Sequence, residues 1–181
     1  MKHSVFAYEL NHYIYDRDLR QLAVDLLEGL PDYFYKIPAS STGTHHPAYA
    51  LGEGGLVRHT KAAVKLAHTM IELEQYKELR NDFIITALLI HDGFKCGLPK
   101  EDGSFENLTA KDHPYLAANY VRNANFERKQ DLSEIASLIE THMGQWYFGI
   151  LPKPVSLGQR FVHLCDFLAS RKFIDIEIVE K

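Results

Sequence analysis

"FIITALLIHDGFK", residues 83–95, runs through eight residues whose only polar side-chain group is one threonine hydroxyl before it reaches His91-Asp92. A stretch of that length, apolar on every side, reads as a helix over about 81–92 buried all round rather than an amphipathic surface helix. The imidazole and carboxylate that close it would each be costly to bury alone. A metal ion satisfies both at once.

The flanking segments also read as helices. Residues 17–29, "RDLRQLAVDLLEG", put Leu19, Leu22, Ala23, Leu26 and Leu27 on one face and stop at Gly29-Leu30-Pro31. From Gly55, "GLVRHTKAAVKLAHTMIELE" repeats Leu56, His59, Ala63, Leu66 and Met70 at spacings of three and four, so His59 lies on an apolar stripe. His113-Pro114 suits a helix start, where proline is tolerated at the first position. "DLSEIASLIETHM" (131–143) sets His142 in line with Leu132, Ile135, Leu138 and Ile139, and "LGQRFVHLCDFLAS" (157–170) aligns Val162, Asp166 and Ala169. Separate helices thus present His or Asp inward near an end, which an all-α helical bundle can converge. The alternating tail "FIDIEIVE" (173–180) reads as a short edge strand or half of a hairpin. The Gly/Ser/Thr/Pro-rich segment 33–55 is too long for an idle connection and reads as a wall or lid over a site.

With 181 residues, 46% of them hydrophobic, the chain suits one domain. A net charge of −4, with both signs mixed along the chain, supplies no polycationic surface for bulk nucleic acid but leaves room for a small phosphorylated ligand. Cys96 and Cys165 show no CxxC spacing and read as structural, and the charged amino terminus lacks a signal-peptide pattern, which points to a cytoplasmic protein. No apolar stretch reaches the length of a membrane span. Tyr8, Tyr13, Tyr15, Tyr33, Phe34 and Tyr35 suit either core cover or a homodimer surface.

The inward set is His59, His91-Asp92, His113, His142 and Asp166. Any one histidine alone reads as a core or capping residue, and Asp166 alone as a partner of Arg160 or Arg171. Together they would each need separate satisfaction, whereas a shared cation serves them jointly. Their order, with "GEGGLVRHT", "LLIHDGFKCG", "KDHPYLAANYV", "IETHMGQW" and "VHLCDFLASR", resembles the HD-domain superfamily of metal-dependent phosphohydrolases over roughly residues 40–171.

The resemblance implies a single HD-type domain over 1–181 with an all-α fold. It also implies a first metal held by His59, His91, Asp92 and Asp166, and a second by His113 and His142 with Asp92 bridging. Imidazole and carboxylate donors accept Mn, Fe, Co, Ni, Zn or Mg, and the histidine count favours a transition metal. One or two such ions would activate water to attack phosphorus. With a single ion, Asp92 would orient the water and His113 and His142 would bind phosphate or move protons.

Lys95 matches the lysine of the family's "HDxxK" form and would reach a phosphate oxygen. Arg58 faces either the site or solvent; His45 or His46 touches a substrate phosphate or packs the loop. Trp146, Tyr147 and Phe148 stack on a ring or belong to the core, and His163 orients Asp166 or packs. The expected activity is hydrolysis of a phosphoester in a small phosphorylated substrate, a nucleotide first among them. The alternatives are a phosphodiesterase acting on a cyclic or linear (di)nucleotide, and a non-catalytic metal- and nucleotide-binding regulatory domain. Absence of the GYP signature speaks against the related cyclic-dinucleotide group.

Overall fold

Seven α-helices build the described chain: α1 (Ala7–Tyr13), α2 (Arg17–Gly29), α3 (Gly55–Met70), α4 (Asn81–Ile90), α5 (His113–Arg122), α6 (Lys129–Glu140) and α7 (Leu157–Ala169). The computed structural model describes residues 1–40, 43, 46–106, 108–146 and 152–174. Among these there is no β-strand, and the strand expected over 173–180 lies almost wholly outside them. No helix among the described residues is long and apolar enough to cross a membrane.

Helix α4 is the axis of the bundle. It packs against α2, α3, α6 and α7, and every residue from Phe83 to Ile90 is at most 2% exposed. That burial explains the absence of an apolar stripe, and each large side chain there contributes about 1.5–3 kcal/mol. The helix ends at Ile90, two residues before the expected limit. Turns closed by Gly93 N–H to the Ile90 carbonyl (2.8 Å) and Lys95 N–H to the Asp92 carbonyl (3.0 Å) take over. His91 and Asp92 therefore project from a tight bend, and Gly93 permits it because a Cβ there would lie 2.6 Å from Leu30 Cδ2. Helix α3 pairs with α7, and α5 with α6, so the helices that bear the remaining inward residues all abut α4 or its neighbours.

Helix α1 had no counterpart in the sequence reading. Phe6, Leu10 and Ile14, spaced by four and buried, are the signal that marks it. Tyr33 and Phe34 join the core, whereas Tyr8 and Tyr15 remain exposed.

Segment 33–55 is stitched to α3. Ala39 N–H bonds the Ala50 carbonyl (3.0 Å), Leu56 N–H the Ile37 carbonyl (2.9 Å), and Gly54 N–H the Lys36 carbonyl (2.9 Å). Arg58 adds a clip, donating from Nε to the Tyr49 carbonyl (2.5 Å) and from Nη2 to the carbonyls of Leu51 (2.9 Å) and Glu53 (2.9 Å).

At the other end of the fold, Asp16 caps α2, accepting from the N–H groups of Asp18 (2.9 Å) and Leu19 (3.1 Å), and Arg128 Nη1 meets its second oxygen at 2.8 Å. Arg128 and the cap bonds lower its pKa to about 2. Asp16→Ala should cost about 1 kcal/mol at neutral pH in urea unfolding. A depressed carboxyl stabilises the fold above its unfolded pKa of about 4 and loses that effect toward the folded value. The gap between wild type and variant should therefore close as the pH falls from about 4 to about 2.

Candidate metal centre and adjoining cleft

Three histidines reach the bundle interior by one device. His91 Nδ1–H donates to the Leu88 carbonyl (2.6 Å), His113 Nδ1–H to Ala110 (2.7 Å) and His142 Nδ1–H to Ile139 (2.7 Å), always three residues back. Each bond assigns the proton to Nδ1 and leaves the Nε2 lone pair pointing away from the backbone, the arrangement a metal ligand requires. His91 sits where α4 ends, His113 opens α5, and His142 follows α6, so all three bonds use carbonyls at turns or helix ends.

The lone pairs converge on two carboxylates. His59, from α3, places Nε2 2.9 Å from Asp166 Oδ1 on α7 and 3.9 Å from Asp92 Oδ2. His91 Nε2 lies 3.5 Å from Asp166 Oδ1 and 3.6 Å from Asp92 Oδ2. On the other side of Asp92, Oδ1 is 3.2 Å from His113 Nε2 and 3.6 Å from His142 Nε2. His59, His91, Asp92, His113 and His142 are all nearly inaccessible, and Asp166 is partly so.

Two features fit a bound cation. His113 Nε2 and His142 Nε2 stand 3.1 Å apart, and with both protons on Nδ1 they are two acceptors facing each other. His91 Nε2 is buried with no hydrogen-bond partner among the described residues, a costly state for a polar atom. His59, His91 and Asp166 form one group able to hold an ion, and His91, Asp92 and His142 another. The cluster is thus capable of binding one or two divalent metal ions. Its imidazole-carboxylate mixture suits a borderline transition metal better than an all-oxygen site would.

Asp92 is the hinge of this charge arrangement. Burial opposes its ionisation, yet Lys95, with Nζ 2.6 Å from Oδ2, and His91 hold its pKa well below the carboxylate range. Burial also works against the Lys95 ammonium, but Asp92 outweighs it and raises the lysine pKa. In His142 burial dominates and lowers the pKa.

A cleft of about 270 Å³ opens beside the cluster. His59, Asp92, His113 and Asp166 form its floor, and Lys95 lines it beside Asp92. Ala39, Ser40 and His46 bring the 33–55 segment to it as one wall. His46 packs edge-on to His59 with ring centroids 5.6 Å apart, and burial, followed by the charge of His59, lowers its pKa to about 4. A further wall holds Met143 and Trp146, from the turn after His142, and Phe167, Ser170 and Arg171 at the end of α7.

Of the residues expected at the site, His46, His59, Asp92, Lys95, His113, Trp146 and Asp166 line this cleft, and His91 and His142 lie directly behind it. Arg58 is not among the residues that line it, and its guanidinium donates to three loop carbonyls. His45, Tyr147 and Phe148 lie outside the described residues. His163 does not orient Asp166. Its Nδ1–H donates to the His142 carbonyl (2.7 Å), and a Cβ on Gly144, whose φ is +55°, would fall 2.3 Å from its ring. His163→Ala should therefore weaken metal binding through His142 by about tenfold, the lower edge for partners of metal ligands. Competition with a chromophoric chelator measures that change.

Phe167, Ser170 and Arg171 also line the cleft, a role the sequence did not suggest for them. The signal was their position at one, four and five residues beyond Asp166, where the end of a helix keeps them beside it. Arg171 does not pair with Asp166; its Nε and Nη2 donate to Ser170 Oγ at 3.1 and 2.8 Å.

An HD-domain family model matches residues 56–171, well over half of the chain. The chain is 27% identical over 185 aligned positions to a dihydroneopterin 2′,3′-cyclic phosphate phosphodiesterase of Methanocaldococcus jannaschii, an alignment that covers 94% of this chain and 70% of that protein. No solved structure matches. With the matched region spanning all six inward residues, the chain belongs to the HD-domain family and carries a His/Asp cluster consistent with a metal-dependent phosphohydrolase.

Proposed function

We propose that the chain, acting as a single HD-type domain with its core over about 40–171, hydrolyses a phosphoester bond in a small phosphorylated substrate, a nucleotide first among them. The reading is carried by one observation: the His/Asp cluster, the Lys95 ammonium and an aromatic wall border the same cleft. At about 270 Å³ that cleft lies near the lower end of small-molecule sites, about 300–1,000 Å³, and suits one compact ester.

His59, His91, Asp92 and Asp166 would hold a first ion, and Asp92, His113 and His142 a second. An ion bound there lowers the pKa of water and offsets charge on phosphoryl oxygens. With only the first ion bound, Asp92 would orient the attacking water, its own ionisation maintained by Lys95. Lys95, already 2.6 Å from Asp92, can extend its remaining N–H donors to a phosphate oxygen. His46 remains neutral at pH 7, because burial has lowered its pKa to about 4, and contributes an uncharged imidazole at the cleft wall.

A second reading, hydrolysis of a cyclic phosphodiester, is favoured by the M. jannaschii relative, whose substrate is a 2′,3′-cyclic phosphate. Assays of 5′-mononucleotides, 2′,3′-cyclic nucleotides and linear dinucleotides with Mn2+, Fe2+, Co2+, Ni2+ or Mg2+ separate the readings. Phosphate release supports monoester cleavage, and ring opening supports the diesterase. A metal-replete protein that binds nucleotides but turns over none of them would instead favour the regulatory domain.

A further inference from the structure

The end of α7 presents two side-chain columns to the cleft. Asp166 and Ser170 are four residues apart and form one; Phe167 and Arg171, also four apart, form the next, about 100° around the helix. The first column leads to the metal cluster. The second meets Trp146, whose ring stacks on Phe167 with centroids 5.3 Å apart and planes 14° from parallel. The Arg171 guanidinium carbon lies 4.4 Å from the Phe167 centroid and 5.8 Å from that of Trp146.

This wall has the chemistry of a ring-binding subsite. Trp146 is 42% exposed, a large aromatic surface left partly in water although it borders a cleft. Arg171 has no carboxylate partner among the described residues and uses two of its five donors, both on Ser170 Oγ. Aromatic faces and a guanidinium plane together stack on heterocycles. A guanidinium with donors left over also recognises two adjacent acceptors, such as the carbonyl oxygen and ring nitrogen on one edge of a 6-oxopurine. An amino group in place of that carbonyl would present a donor to a donor.

We infer that Trp146, Phe167 and Arg171 form a subsite for a fused bicyclic oxo-ring, with Arg171 selecting the carbonyl-bearing edge. The inference rests on the phosphoester reading only for the direction in which substrate enters: phosphate to the His/Asp floor, ring to the α7 wall. Lys95 then serves the phosphate and Arg171 the ring.

Trp146 is the single tryptophan of the chain, so its fluorescence reports on this wall without metal, phosphate or turnover. Metal-stripped full-length protein is titrated with guanosine and with adenosine, with excitation selective for tryptophan. Saturable quenching is expected, with guanosine bound about tenfold more tightly than adenosine, the scale of one bidentate base contact. Arg171→Lys keeps a charge but loses the planar fork, and should abolish that preference while quenching persists. Phe167→Leu should weaken both nucleosides together.

Absence of quenching by either nucleoside overturns the subsite. Equal quenching by both overturns the selective role of Arg171, as does a preference unchanged in Arg171→Lys. A lower Tm in the variants with nucleoside affinities unchanged reduces these residues to packing and also overturns the inference. Quenching in a protein that hydrolyses no ester sinks the phosphohydrolase reading and leaves the ring subsite standing; hydrolysis without quenching does the reverse.

Discussion

Asp92→Ala is expected to abolish metal-dependent phosphoester hydrolysis, with a loss larger than the roughly 10–100-fold that follows removal of a partner behind a metal ligand. Both oxygens of this carboxylate are committed: Oδ1 faces His113 and His142, and Oδ2 faces His59, His91 and Lys95. Its removal therefore opens both halves of the cluster at once. It also strands the Lys95 ammonium, whose side chain is only 14% exposed, and an uncompensated buried charge destabilises the fold in its own right. The double variant Asp92→Asn with Lys95→Met removes the charge pair together and separates the two effects. Inactivity is expected in that variant even where circular dichroism shows it folded, and His91→Ala should behave alike. Full activity in any of these folded proteins would defeat the assignment.

Removal of metal should lower the Tm markedly. The facing lone pairs of His113 and His142 and the orphaned Nε2 of His91 are unfavourable without a cation, and a ligand bound only to the native state at a hundredfold its Kd contributes about 2.7 kcal/mol. For a chain of this size that corresponds to a rise of about 5–10 °C on adding back metal. The rise should shrink with acidity. Ligand imidazoles must be deprotonated, so metal binding releases protons and protons compete with the metal as the pH falls. Scanning calorimetry of stripped and reconstituted protein at several pH values measures this. Equal Tm values at pH 7 would contradict it.

Much of the bundle was legible because periodicity and stop signals coincided. Arg17–Gly29 was read from its apolar face and its stop at Gly29-Leu30-Pro31, and its expected limits are those observed. In α4 the apolar run fixed burial, but its end was set by backbone turns through Gly93 that no hydrophobic pattern encodes. The inward set was legible for a different reason: an ionisable residue on an apolar stripe is conspicuous, and six of them on successive elements are more so.

What was hidden depended on tertiary direction. Arg58 adjoins His59 in sequence, yet one helical step turns it toward the carbonyls of Tyr49, Leu51 and Glu53. His163 lies one turn before Asp166, but the bend at Gly144 brings the His142 carbonyl to it first. Arg171 was legible in sequence only as one of two arginines that could pair with Asp166 taken alone, because only charge is visible there. Its position over Phe167 and Trp146 depends on where the turn after α6 meets the end of α7.

One cluster of four histidines and two aspartates is expected to bind the catalytic metal. Elemental analysis of wild-type protein and of the folded Asp92→Asn, Lys95→Met variant, both equilibrated with the same transition metal and desalted, tests it most directly. One to two equivalents are expected per wild-type chain, in keeping with the two ligand groups, and next to none in the variant. Equal metal content in the two proteins, or none in either, would contradict it.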